Sequence, residues 1–223
     1  MPGAPDGTAP PWGYLSWLHE RIERGDPALP VLGPLTDVQA ISAELARRTT
    51  TSVWNMQRLG PASWLRDLVA DTEEIERRGL EARTIYPRDA VRVSPLLPYA
   101  VPNMRVGPVT DPFMVIDRSF VVIGDPNAAF IHVSEDPEVV ARGVAWFEQE
   151  WDAATPPLGA DGLGAVSWRM LRVSVLLVEG ATDRQIASAL TTSERTVSAD
   201  VAALGRVLGV SGRAQTIARI CGV

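Results

Sequence analysis

Lysine is missing from this chain: all 21 basic residues among its 223 are arginine. That excludes lysine Schiff-base chemistry, a P-loop lysine and a lysine general base. The single cysteine, Cys221, excludes an intrachain disulfide framework and a cysteine-built zinc site. Histidine is nearly as scarce, with His19 and His132 alone, and no metal-ligand spacing stands out. No cofactor is expected. Long apolar runs are absent as well, since VSVLLV at 173–178 falls far short of the roughly 18 residues that span a bilayer. The first residues, MPGAPDGTAPPWGY, lack a basic stretch followed by an apolar one, so no secretory signal is visible. These absences together give the expectation of a cytoplasmic protein with no membrane partner.

What is present is ordinary globular material, 46% hydrophobic and 22% charged, enough for one large domain or two modest ones. The charge is unevenly placed. Residues 1–160 hold 14 arginines against 22 acids, whereas residues 161–223 hold 7 arginines against 5 acids. An acidic body with a mildly basic end is therefore expected. Between them the Pro/Gly/Ala stretch DAATPPLGADGLGA (152–165) has no apolar periodicity and reads as a linker, set at 156–165.

The first half alternates between helical and strand patterns. Helices are expected at 14–24, at 35–48 with Thr36 and Asp37 as caps, at 61–79 with Gly79 as a stop, and at 136–154 opening on Asp-Pro. Strands are expected at 50–58, at 80–87, and within NMRVGPV, FMVIDRSFVVIG and AAFIHVS, with IDRSF as a hairpin turn. This order implies an α/β domain over 35–155 with a mixed sheet, preceded by an extension at 1–34 with one helix. The second half reads as all helix, with candidates at 167–179, 183–190, 194–208 and 212–220. The fold class expected is thus α+β with two domains, the second an all-α four-helix unit at 166–223.

Within that unit TDRQIASALTTSERTVSADVAALGRVLGV (182–210) holds two short helices separated by a polar triplet. Thr182 or Asp183 caps the first and Ser193 the second. On the second, Val197, Val201, Leu204 and Leu208 form one narrow apolar stripe, and Arg195, Ala199, Ala202 and Arg206 fall about opposite, with Ser198 on the flank. A helix with a small-residue outer face carrying two arginines suits entry into a DNA major groove. Periodicity alone fits a plain helical bundle equally well.

Residues 166–219 resemble the four-helix DNA-binding domain of LuxR/GerE-type transcription regulators, through EGATDRQIASAL, SERTV and LGRVLGVSGRAQ, and Arg169 matches an arginine of the family's first helix. The resemblance implies that 194–208 is a recognition helix and that 212–220 pairs protomers. It implies phosphate contacts from Arg169, Arg184, Arg195, Thr196, Arg206 and Arg213, with Ser198, Ala199 and Ala202 against bases. Two departures stand out: Ser198 and Asp200 occupy positions where the family usually has lysine and histidine. Direct readout is then limited to a hydroxyl and methyl contacts to thymine, and Asp200 would repel a nearby phosphate.

Residues 35–155 resemble, in element order, the effector domain of TrmB-like regulators, built on a phospholipase-D-like fold. A phosphoacceptor receiver domain is excluded for want of lysine, and the acyl-homoserine-lactone signature is not found. The phosphodiesterase motif of phospholipase D is not met either, because Ser134 in HVSEDPEV stands where its lysine should be. His132 reads as a packed strand residue and His19 as a surface one; catalysis is not expected. Most of the seven tryptophans read as core, and the acidic run DTEEIE (71–76) as a solvated helix face. The resulting expectation is a non-enzymatic regulator that binds promoter DNA as a homodimer, with room for a small-molecule effector in the first domain. The alternatives are a protein-binding anti-activator with a decayed helix-turn-helix and, behind it, a phosphodiesterase-like enzyme. The arginine-only, alanine-rich composition associates the chain with actinobacterial regulators of specialised-metabolite (antibiotic) biosynthesis.

Overall fold

The computed structural model describes residues 13–58, 64–125, 127, 129–157 and 166–223. The expected linker lies outside these except for its first two residues, as do Trp12 and the start of the helix expected at 61. The architecture is α+β, and the chain divides into two compact units: Met1–Met56 with Thr110–Ala154, and Gln57–Val109 with Thr155–Val223. Residues 57–109 therefore group with the C-terminal helices rather than with the remainder of 35–155.

The first unit contains α1 (Tyr14–Glu23), β1 (Val31–Pro34), α2 (Val38–Arg48), β2 (Ser52–Met56), β5 (Phe113–Ile116), β6 (Phe120–Gly124), β7 (Phe130–Ser134) and α6 (Pro137–Ala153). Its five strands run in the order β1-β7-β6-β5-β2, each neighbouring pair antiparallel. Valine, isoleucine and aromatic side chains fill these strands because they pack well on a pleated surface. The register sets Trp54 beside Val115 and Phe113 beside Ile123, so their side chains share the face that α6 covers. There Trp54 stacks on Phe147, while Phe113 meets Trp146 and Tyr14 edge-on. Of the tryptophans expected to be mostly core, Trp54, Trp146 and Trp151 are buried, whereas Trp17 and Trp168 are half-buried.

Two expectations for this unit fail locally. Thr36 and Asp37 do not cap α2: Leu35–Asp37 forms a 3₁₀ turn, and no side chain accepts a bond at the helix start. His19 is not simply a surface residue, since its Nε2 is buried and unpartnered. His132 is packed in its strand, as read, with Nδ1 2.8 Å from the Leu29 carbonyl.

The second unit opens with α3 (Trp64–Arg78), β3 (Glu81–Tyr86), two short helices α4 (Ala90–Val93) and α5 (Leu97–Ala100), and β4 (Met104–Val106), which pairs parallel with β3. Four helices follow: α7 (Trp168–Val178), α8 (Asp183–Ala189), α9 (Glu194–Leu208) and α10 (Arg213–Ile220). They do not build a core of their own. Leu65 and Val69 of α3 and Leu96 and Ala100 of α5 belong to one buried cluster with Leu171, Leu177, Ile186, Val197, Leu204 and Ile220. Among the described residues no helix is long and apolar enough to cross a membrane.

Candidate nucleic-acid interface

The pair α8–α9 is set by local chemistry. Thr182 caps α8 by accepting from the Gln185 amide, and the Gln185 side chain accepts from the Thr182 amide in return. Ser193 caps α9 by accepting from the Thr196 amide at 3.1 Å, and its hydroxyl lies 2.8 Å from that of Thr196. Each such cap stabilises its helix by about 1 kcal/mol. Gly209, with φ +69°, closes α9 in the left-handed conformation that lets Val210 donate back to the Gly205 carbonyl at 2.9 Å.

The inward face of α9 carries Val197, Val201 and Leu204, all buried, with Leu208 half-buried at the end of the stripe. Its outward face carries Arg195, Ser198, Ala199, Ala202 and Arg206, all exposed. The two arginines are eleven residues apart, about 16 Å along the axis at 1.5 Å per residue. No ion pair or hydrogen bond among the described residues engages the guanidinium of Arg195, Arg206 or Arg184, the last exposed on α8.

Arg169, Arg213, Ser198 and Thr196 of the expected contact set have side-chain partners within the chain. Arg169, at the start of α7, grips both carboxylate oxygens of Asp200, Nε at 2.8 Å and Nη2 at 3.0 Å. That bond holds the guanidinium above its already high ordinary pKa. Asp200 lies buried on the inner side of α9 rather than displayed toward a ligand. Arg213 is bound by the Asp183 carboxylate and the Ala181 carbonyl. Ser198 donates to the other Asp183 oxygen at 2.8 Å. Asp183 thus joins α8, α9 and α10, beyond the capping role that its place at the start of α8 suggests.

On α10, Thr216 and Ile220 are buried. Arg219 donates to the Arg92 carbonyl at 3.1 Å, and the backbone at Gly222 lies so near Val93 that an added Cβ would sit 2.7 Å from its carbonyl oxygen. The helix expected to pair protomers is therefore in part packed on α4. Ala214 and Gln215 remain exposed. A shallow cleft between the end of α9 and α10 brings Arg206 and Arg219 to one opening, with Gln215 and Ser211 on its wall. Among the described residues there is no cluster of three or more His, Cys, Asp and Glu that could hold a metal ion.

No protein-family model and no curated protein matches this sequence. Among solved structures, the chain is similar to TrmBL2, described as an archaeal chromatin protein with a novel mode of DNA binding: 15% identity, TM-score 0.43, over 65% of this chain and 62% of that one. It is also similar to NucT from Helicobacter pylori, with 16% identity and a TM-score of 0.45, over 57% of this chain and 96% of that one. This chain thus spans less than two thirds of TrmBL2. Likeness at this level carries no argument about function.

Proposed function

We propose that the protein is a DNA-binding transcription regulator of LuxR type that acts on promoter DNA as a homodimer. The observation that carries the reading is the outer face of α9, where exposed Ala199 and Ala202 lie between two unengaged arginines, Arg195 and Arg206. Small side chains let the helix backbone approach the groove floor, and the arginines reach phosphates at either end. With the Ser198 hydroxyl already bound to Asp183, methyl contacts from the two alanines to thymine are what remains for base readout. So few contacts per protomer make pairing on a two-fold operator necessary for useful affinity.

In this reading residues 166–223 bind DNA, residues 35–155 sense an effector or pair protomers, and the setting is the cytoplasm of a bacterium, in control of a pathway such as antibiotic biosynthesis. The protein is not an enzyme. His132 is turned to the Leu29 carbonyl and Ser134 donates to the Ala28 carbonyl, so neither is presented to a substrate.

The test is a mobility shift of the full chain on duplexes from upstream of its own gene, repeated with Arg195→Ala/Arg206→Ala. A specific shift that the double variant loses supports the assignment. A folded protein that shifts no duplex at low salt overturns it. That result would favour the second reading, a protein-binding anti-activator, for which the internal engagement of Arg169 and Arg213 already speaks.

A further inference from the structure

We infer that Arg169 neutralises Asp200 on the recognition helix and is not one of its phosphate contacts; the inference rests on the DNA-binding reading above. Three observations meet here. Asp200 is an acid on the helix that would enter DNA, one residue from Ala199 and two from Ala202. Its carboxylate is 8% exposed, so it points into the unit, yet it sits within a Debye length of anything lying on that helix. Both of its oxygens are taken by the guanidinium fork of Arg169, at 2.8 and 3.0 Å. A two-bond fork fixes direction as well as distance, which a single contact does not. It keeps the guanidinium charge directly against the carboxylate.

The same fork cancels the only negative charge on the inner side of that helix. An Arg169 that left Asp200 to reach a phosphate would strand a nearly buried carboxylate beside the DNA. The arginine therefore stays on Asp200 in the complex, and the phosphates are left to Arg184, Arg195 and Arg206.

The experiment uses the full-length protein and a fluorescein-labelled duplex from upstream of its own gene, with affinity measured across a salt series and each variant's fold checked by circular dichroism. Arg169→Ala should weaken binding about tenfold at low salt, the effect of one uncompensated charge at this range, and less at high salt, where that charge is screened. Arg169→Ala/Asp200→Asn should regain affinity to within about twofold of the parent, since the double change removes the charge itself. Arg206→Ala provides the contrast, lowering the slope by about one.

A slope that falls by about one in Arg169→Ala, with no recovery in the double variant, would make Arg169 a phosphate contact and overturn the inference. If Arg169→Ala does not fold, Asp200→Asn alone decides. It should bind at least as tightly as the parent, and weaker binding overturns the neutralising role. A parent protein that binds no duplex at any salt overturns the DNA-binding reading itself, an outcome separate from either arm.

Discussion

The indole Nε1 of Trp168 donates to the Glu73 carboxylate at 2.8 Å, joining the first turn of α7 to the middle of α3. Arg172, one turn along α7, lies 3.7 Å from the same oxygen, and Arg66 pairs with Glu179 at the far end of the two helices. Beneath these polar links Leu65 and Val69 of α3 share the core of the four C-terminal helices. The surface ion pairs contribute little on their own, because exposed charges are screened and mobile. The indole bond is different: it is short, it ends on a charge, and it belongs to a half-buried ring.

Trp168→Phe should therefore cost about 1 kcal/mol of the unfolding free energy, more than Glu73→Gln, which keeps an acceptor for the indole. Urea unfolding followed by circular dichroism measures both. The opposite ranking would assign the link to the ion pair with Arg172.

Asp117 gives a pH-dependent prediction. It lies in the β5–β6 turn with φ +52°, as does Arg118 after it, a conformation that aspartate tolerates better than most residues. Its carboxylate accepts from the amides of Thr50, Thr51 and Ser52 and from both threonine hydroxyls. Burial pushes its pKa up, but the bonds from Ser52, Thr51 and Thr50 outweigh it and hold the group at about 2. That is below the unfolded value of roughly 3.9, so the stabilisation is complete above about pH 4 and lost as pH falls through about 2. Asp117→Asn should cost about 2 kcal/mol near neutral pH, and the gap between variant and parent should close as the parent is acidified. A gap of constant size from neutral to strongly acidic pH would mean the turn, not the charge, supplies the effect.

Much of this fold is legible wherever neighbours in sequence decide it. IDRSF forms the hairpin turn between β5 and β6 because Asp117 can take a positive φ and bond back to the chain. Thr182 and Ser193 cap α8 and α9 through partners three residues away. Even the burial of Asp200 is written in the helical period, three residues after Val197 and four before Leu204. What no local pattern carries is the partner. Arg169 lies 31 positions from Asp200, and Glu73 lies 95 from Trp168. The acidic run 71–76 reads as a solvated face because nothing nearby says that α7 will settle on it. The same blindness hides the grouping of 57–109 with the C-terminal helices, which follows from which apolar faces meet across long separations. For the candidate interface, periodicity alone picks out the outward residues of α9, but not which arginines the chain binds internally.

Gly143 marks a close approach inside the first unit. A Cβ there would lie 2.6 Å from the Tyr14 hydroxyl, 2.9 Å from Val121 Cγ1 and 3.2 Å from Phe113 Cζ. Tyr14 cannot swing aside freely, since its ring packs against Trp17, Phe113 and Trp146 and its hydroxyl donates to the Val139 carbonyl at 2.9 Å. In a helix Gly→Ala is ordinarily worth about 1 kcal/mol in favour of alanine. Overpacking of about 1–3 kcal/mol should reverse that sign here. Thermal unfolding of Gly143→Ala should show a lower midpoint than the parent, and a raised midpoint would show that the aromatic cluster can yield.

Gly205 plays the corresponding part on the candidate DNA-binding helix. It sits on the inner side of α9, where a Cβ would meet the Val210 carbonyl oxygen at 2.9 Å and the Thr216 hydroxyl at 3.2 Å. The first of these is backbone, held by the turn in which Val210 donates to the Gly205 carbonyl, so it cannot rotate away as a side-chain tip would. Gly205→Ala should push the α9–α10 turn outward and cost about 2 kcal/mol after the gain in helix propensity is allowed for. Ala202→Gly, on the exposed outer face, removes helix propensity without any steric change and should cost about 1 kcal/mol. Urea unfolding of the two variants side by side separates the causes: sterics predict that the insertion at 205 is the worse of the two although it adds a better helix former. An equal or smaller loss at 205 would mean that α9 and α10 are not packed as tightly as their separation requires.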